Sequence, residues 1–149
     1  MRILVAGFGN ELRGDDAFGI AVCQRLEGKG PLEMKILEVG TGGLQMAQEL
    51  LTGYDRLIVV DAMTRGGLPG QLYVLEVQEV ERASEIDLHL AVPKAALSVA
   101  QAMGVLPGQV FMVGCEPADT DELRMALSPA VGAALDRAVG HVLELAGRP

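Results

Sequence analysis

The 149-residue sequence predicts an α/β protein, a three-layer α/β/α sandwich on a mostly parallel five-stranded sheet. Three observations predict it. Short apolar runs alternate with helical periodicity in the order β-α-β-α-β-β-α-β-α. One run, Leu57-Ile58-Val59-Val60, is unbroken, as in a central strand covered on both faces. Aromatic residues make up only 3% of a chain that is 50% hydrophobic and has 19 glycines. Its core must therefore be aliphatic and its strand-to-helix turns tight.

Each element has its own signal. Arg2 to Ala6 reads as a strand closed by Gly7. From Asp15 the pattern turns helical, with Phe18, Val22 and Leu26 on one face. Asp15 and Asp16 sit where an N-cap and first turn favour acids, and Asp15 fits the cap better. Lys35 to Val39 is a second strand, followed by Gly40-Thr41-Gly42-Gly43 and a helix over about 44–51. Arg56 to Val60 is the third strand and runs into Asp61. Gln71 to Val77 alternates and suits an edge strand. Residues 76–87 are acidic and irregular. His89 precedes or opens a helix that carries Pro93 in its first turn and ends near Gly104. Val110 to Val113 is the fifth strand. Ser128-Pro129 opens a last helix, with Val131, Leu135, Val139 and Val142 on one face.

The length suits one domain over residues 1–149. A formal net charge of −8 makes nucleic acid and anionic membrane poor partners and favours a cationic ligand or basic segment. Cys23 and Cys115 belong to no C-x-x-C pair and read as small core residues of a reducing compartment. The N-terminal apolar run is short for a signal peptide, and no run approaches the ~20 residues of a membrane span. A cytoplasmic location is the expectation.

In such sheets, ligands bind beyond the carboxyl ends of the strands. That places the 7–16 loop, the 40–43 loop, Asp61 and Cys115-Glu116 together. Gly7-x-Gly9 invites a dinucleotide reading, but the third glycine of that fingerprint would fall on Leu12, and two carboxylates repel a pyrophosphate. Asp61 closes an apolar strand, where a charge is costly unless bound to something. It either accepts amides from the next turn or serves chemistry. His89 is a packing histidine or a ligand; His141 shares a helix face with Arg137 and Glu144 and is the poorer candidate. Asp16, Asp61 and His89 would make an N/O ligand set with open positions, better suited to Ni²⁺ or Zn²⁺ than to Mg²⁺. No H-E-x-x-H or G-x-S-x-G occurs, and Ser84, Ser98 and Ser128 are expected away from the strand ends.

The segment Met1-Arg2-Ile3-Leu4-Val5-Ala6-Gly7-Phe8-Gly9-Asn10-Glu11-Leu12-Arg13-Gly14-Asp15-Asp16 resembles the N-terminal signature of the hydrogenase maturation proteases. The likeness continues through residues 36–43 and 55–62, at His89, and through residues 113–117 and 127–131. The resemblance implies a phosphorylase/hydrolase-like sandwich and an endopeptidase of the aspartic type. It would remove the C-terminal extension of a nickel–iron hydrogenase large-subunit precursor after nickel insertion. It also implies that Asp16, Asp61 and His89 meet nickel brought by that precursor, as recognition, as Lewis acid or as source of an activated water. The family's acidic-Gly-Gly-Thr loop corresponds to Glu38-Val39-Gly40-Thr41, so Glu38, Gly40, Thr41 and Gly42 would line the path of the substrate tail. A non-proteolytic nickel-binding assembly factor and a nucleotide- or small-molecule-binding module are the alternatives.

Overall fold

The computed structural model describes residues 1–40, 43–78, 92–118, 123 and 125–149. Five strands form one sheet: β1 (Ile3–Phe8), β2 (Met34–Gly40), β3 (Arg56–Ala62), β4 (Leu72–Glu76) and β5 (Gln109–Cys115). Their spatial order is β2-β1-β3-β5-β4. β1 pairs in parallel with β2 and β3, and β3 with β5. Only β4 runs antiparallel, against β5, at the edge its alternating sequence suggested.

Alternation of side chains sorts the core into two layers. Ile3 and Val5 of β1, Ile58 and Val60 of β3, and Phe111 and Val113 of β5 face α1 (Phe18–Leu26) and α4 (Pro129–Gly147). Leu4, Ala6, Leu57, Val59 and Val110 face α2 (Leu44–Leu50) and α3 (Val92–Ala102). The central strands are therefore apolar on both sides, and the predicted sandwich is the one observed. Pro93 lies in the first turn of α3, where its missing N–H is harmless.

Arg56 is an unexpected member of this core. It opens β3 and is 1% exposed. Its Nη1 donates to the carbonyls of Leu145 and Arg148 at 2.5 and 2.9 Å, satisfying orphan carbonyls at the end of α4. Nε and Nη2 both donate to Gln109 Oε1, and the guanidinium lies 5.6 Å from the Phe111 ring centroid. The clamp ties β3, β5 and α4 together at the amino end of the sheet.

At the carboxyl end, the chain leaves β1 through a turn that only glycine permits. Gly9 has φ 129°, and a Cβ there would lie 1.8 Å from the carbonyl oxygen of Asp16. A 3-10 turn (Gly14–Ala17) then leads into α1. Gly19 lets that helix press against the sheet: a Cβ would meet the carbonyl oxygens of Val60 and Phe8 at 2.3 and 2.4 Å. This close approach holds the β1–α1 loop beside the end of β3.

One helix start and one side-chain cap differ from expectation. Asp15 is no N-cap. The helix begins three residues later, and the Asp15 carboxylate, 1% exposed, turns away to the β5–α4 loop. Ser128 has the extended backbone of a cap residue before Pro129, yet its side chain caps nothing. Its hydroxyl donates to Asp15 instead. Local pattern identifies acids and hydroxyls that suit caps but carries no trace of a stronger distant partner. No described helix is long and apolar enough to cross a membrane.

Candidate functional site

β1, β2, β3 and β5 end on one side of the sheet, and Asp61 lies at that end with Asp16 of the β1–α1 loop beside it. Asp61 pairs in register with Gly114 of β5 near the end of β3. It is 6% exposed, and its Oδ1 has no hydrogen-bond partner among the described residues. Burial pushes its carboxyl well above the usual carboxylate range; the neighbouring Asp16 charge pushes it further, while the Ala62 amide opposes both. A buried acid with an oxygen unpartnered among the described residues and a second carboxylate beside it either keeps its proton or needs a nearby cation. A divalent cation would meet both carboxylates at once.

Asp16 is only partly buried and is held from behind, the Asn10 amide donating to its Oδ2 at 3.0 Å. The two carboxylates placed together by topology in the sequence are thus neighbours in the fold. Asn10 also lines a cavity of about 370 Å³ with Gly9, Glu11, Ile20, Glu38, Val39 and Gly40. Glu38 and Gly40 therefore lie on a recess adjoining Asp16. His89, Thr41 and Gly42 lie outside the described residues. Among the described residues, no group of three His, Cys, Asp or Glu side chains is arranged to hold a metal ion.

Two further acids at this end brace the site. Asp15 takes the Ala118 amide at 2.8 Å, the Ser128 amide at 2.7 Å and the Ser128 hydroxyl at 2.8 Å. Ser128 therefore lies close to the strand ends, contrary to expectation, but as a structural donor. Glu116, 4% exposed, takes the amides of Arg65 and Gly67 and the hydroxyl of Tyr73 on Oε1. Burial alone would raise its pKa; the donors outweigh burial and hold it below the usual range. The sequence marked Glu116 only by its place after a strand. Its partners lie some 43–51 residues away, beyond any local pattern.

Cys23 and Cys115 are both buried and free. Burial pushes the Cys23 thiol up to about 12 and the Cys115 thiol up to about 11. Neither supplies a thiolate near neutral pH, which leaves thiol nucleophiles out of the chemistry.

Comparison with known proteins gives a consistent picture. A family model described as hydrogenase maturation protease matches residues 20–145, a span that includes Asp61 and begins just after Asp16. The hydrogenase 2 maturation protease of Escherichia coli (strain K12) is 32% identical over 148 residues, covering 96% of this chain and 89% of that protein. The hydrogenase expression/formation protein HupD of Rhodobacter capsulatus is 31% identical over 147 residues, covering 95% and 70%. Among solved structures, the hydrogenase maturating endopeptidase HybD from E. coli aligns with a TM-score of 0.85 at 31% identity, over 97% of this chain and 91% of that one.

These likenesses overturn the aspartic-type expectation, because maturation proteases of this kind are not aspartic proteases. The geometry gives the physical reason. Aspartic proteases share one proton between two carboxyl groups in direct contact. Here Asp16 is bonded to the Asn10 amide and Asp61 to the Ala62 amide, and no hydrogen bond joins the two.

Proposed function

Since the chain belongs to the hydrogenase maturation protease family, we propose that it removes the C-terminal extension of a nickel–iron hydrogenase large-subunit precursor after nickel has been inserted. The observation that carries this reading is the buried Oδ1 of Asp61, without a partner among the described residues, beside the Asp16 carboxylate. Nickel arriving with the precursor is the nearby cation. In this reading it belongs to the substrate and is not resident in the enzyme.

Each residue then has a task. Asp61, held at a strand end, meets the metal with the oxygen that has no other partner among the described residues. Asp16 meets it from the β1–α1 loop, its other contact fixed by Asn10. His89 is assigned as the third ligand, a nitrogen donor that makes the set favour nickel over magnesium. The recess between Gly9 and Gly40 receives the extended tail, with Glu38 and Gly40 along it; Thr41 and Gly42 are assigned the same task from the sequence alone. Metal capture places the scissile carbonyl at a fixed distance from these groups, so uncharged precursor is left uncut.

The test is incubation with a nickel-loaded and a nickel-free large-subunit precursor, read as a size shift. Cleavage of the loaded form alone, lost in Asp16→Ala, Asp61→Ala and His89→Ala, is expected. Binding without a size shift in the wild type would overturn the protease assignment in favour of an assembly factor.

A further inference from the structure

The loop between β3 and β4 leaves the strand directly after Asp61 and Ala62, crosses the end of β5, and enters β4 at Leu72. Its course is fixed from beneath. The buried Glu116 Oε1 accepts the Arg65 amide at 2.8 Å, the Gly67 amide at 2.7 Å and the Tyr73 hydroxyl at 2.8 Å. The Glu116 backbone is paired on both sides, its N–H donating to Gln71 and its carbonyl accepting from Gly70, each at 2.8 Å. Arg65 is thereby set on a shelf. Its exposed guanidinium lies 5.4 Å from the centroid of the Tyr73 ring, and it makes no ion pair among the described residues.

We propose that Arg65 is a substrate-binding residue that takes a carboxylate of the incoming precursor, with Tyr73 and Glu116 as its positioning residues. This rests on the maturation-protease reading above. The charge layout across the sheet end gives the direction. Glu11 and Glu38 line the recess over β1 and β2, on one flank of Asp61. Arg65 stands on the opposite flank, over β5 and β4. A chain laid across the site therefore meets acids on one side and a guanidinium fork on the other. The fork matches a carboxylate bidentately. Its backbone is already anchored and its guanidinium already lies by the Tyr73 ring, so binding costs less ordering than for a free side chain.

Kinetics with the nickel-loaded precursor test this. Arg65→Ala is expected to raise KM roughly tenfold, with kcat within about twofold of wild type. Arg65→Lys, which keeps the charge without the fork, should recover part of that loss. Tyr73→Phe keeps the shelf and removes its tie to Glu116. Its own KM increase should vanish when Arg65 is already alanine, because both changes act through one contact. Precursor affinity is measured in parallel, so the dependence on Arg65 is read even where nothing is cut. An Arg65→Ala enzyme with wild-type KM and Kd at low salt overturns the inference and leaves the protease reading intact. So would Tyr73→Phe and Arg65→Ala losses that simply multiply. A wild-type chain that binds the precursor in an Arg65-dependent way but never cuts it overturns the protease reading alone.

Discussion

Asp15 reaches across 113 positions of sequence to hold Ser128 by both its amide, at 2.7 Å, and its hydroxyl, at 2.8 Å. Its neighbour Asp16 faces the other way, toward Asp61. Two adjacent acids thus point to separate partners, one tying the β1–α1 loop to the β5–α4 loop and the other, in the proposed reading, meeting the metal.

The two duties separate by mutation. Asp15→Ala strips the acceptor from three donors and should cost about 3 kcal/mol of unfolding free energy. Asp16→Ala removes a charge that presses on Asp61 and should change stability by less than about 1 kcal/mol while abolishing cleavage. Denaturant unfolding and a precursor-cleavage assay on both variants check the pair. Equal stability losses would show that the division is wrong.

Asp61 stands under strain that the fold does not relieve. A carboxyl whose folded pKa is raised contributes stability fully only below its unfolded value near 3.8 and loses it as pH climbs through the folded pKa. Keeping this carboxyl in the fold therefore costs stability as pH rises above 3.8. Asp61→Asn should raise Tm at pH 7 by roughly 3 °C, corresponding to about 1 kcal/mol, and eliminate activity. The gain should shrink toward pH 4. A thermal melt series between pH 4 and 8 reads both trends, and a variant less stable than wild type at pH 7 contradicts the account.

For Glu116 the sign is opposite. Its folded pKa lies below the unfolded value near 4.5, so its contribution is present above that value and is lost as pH falls through the folded one. Wild type should lose Tm more steeply than Glu116→Gln between about pH 5 and 3. Parallel slopes in that window would remove Glu116 from the acid response.

Arg56→Ala should destabilise the chain by about 3 kcal/mol, because it uncovers the carbonyls of Leu145 and Arg148 and leaves Gln109 without its donors. Arg56→Met, which fills the space without donors, should recover less than half. Amide exchange in the last turn of α4 should accelerate in both. If that turn stays protected, the clamp is not what holds it.

Much of the fold was legible in the sequence because it depends on local periodicity. The apolar run at residues 57–60 marks a doubly covered strand, and the alternation before Glu76 marks the edge. The burial of Asp61 was legible because it closes an apolar run; of its two readings, the bland one is met in part by the Ala62 amide. The roles of Asp15, Arg56 and Glu116 were not. Each is a buried ionisable group whose partners lie far along the chain, and a sequence shows such residues only as ordinary charged positions near element ends. The start of α1 was misplaced for the same reason: the distant partner of Asp15 outcompetes a cap.

The parallel sheet also keeps its two ends independent. Arg56 and Gln109 lock the amino end to α4, while the residues proposed to meet a precursor lie on strand ends and loops at the other end. Those loops can be rewritten, and the choice of precursor with them, without disturbing the lock. Descendants of one such chain can thus diverge to serve different hydrogenases by changing a rim and inheriting the body unaltered.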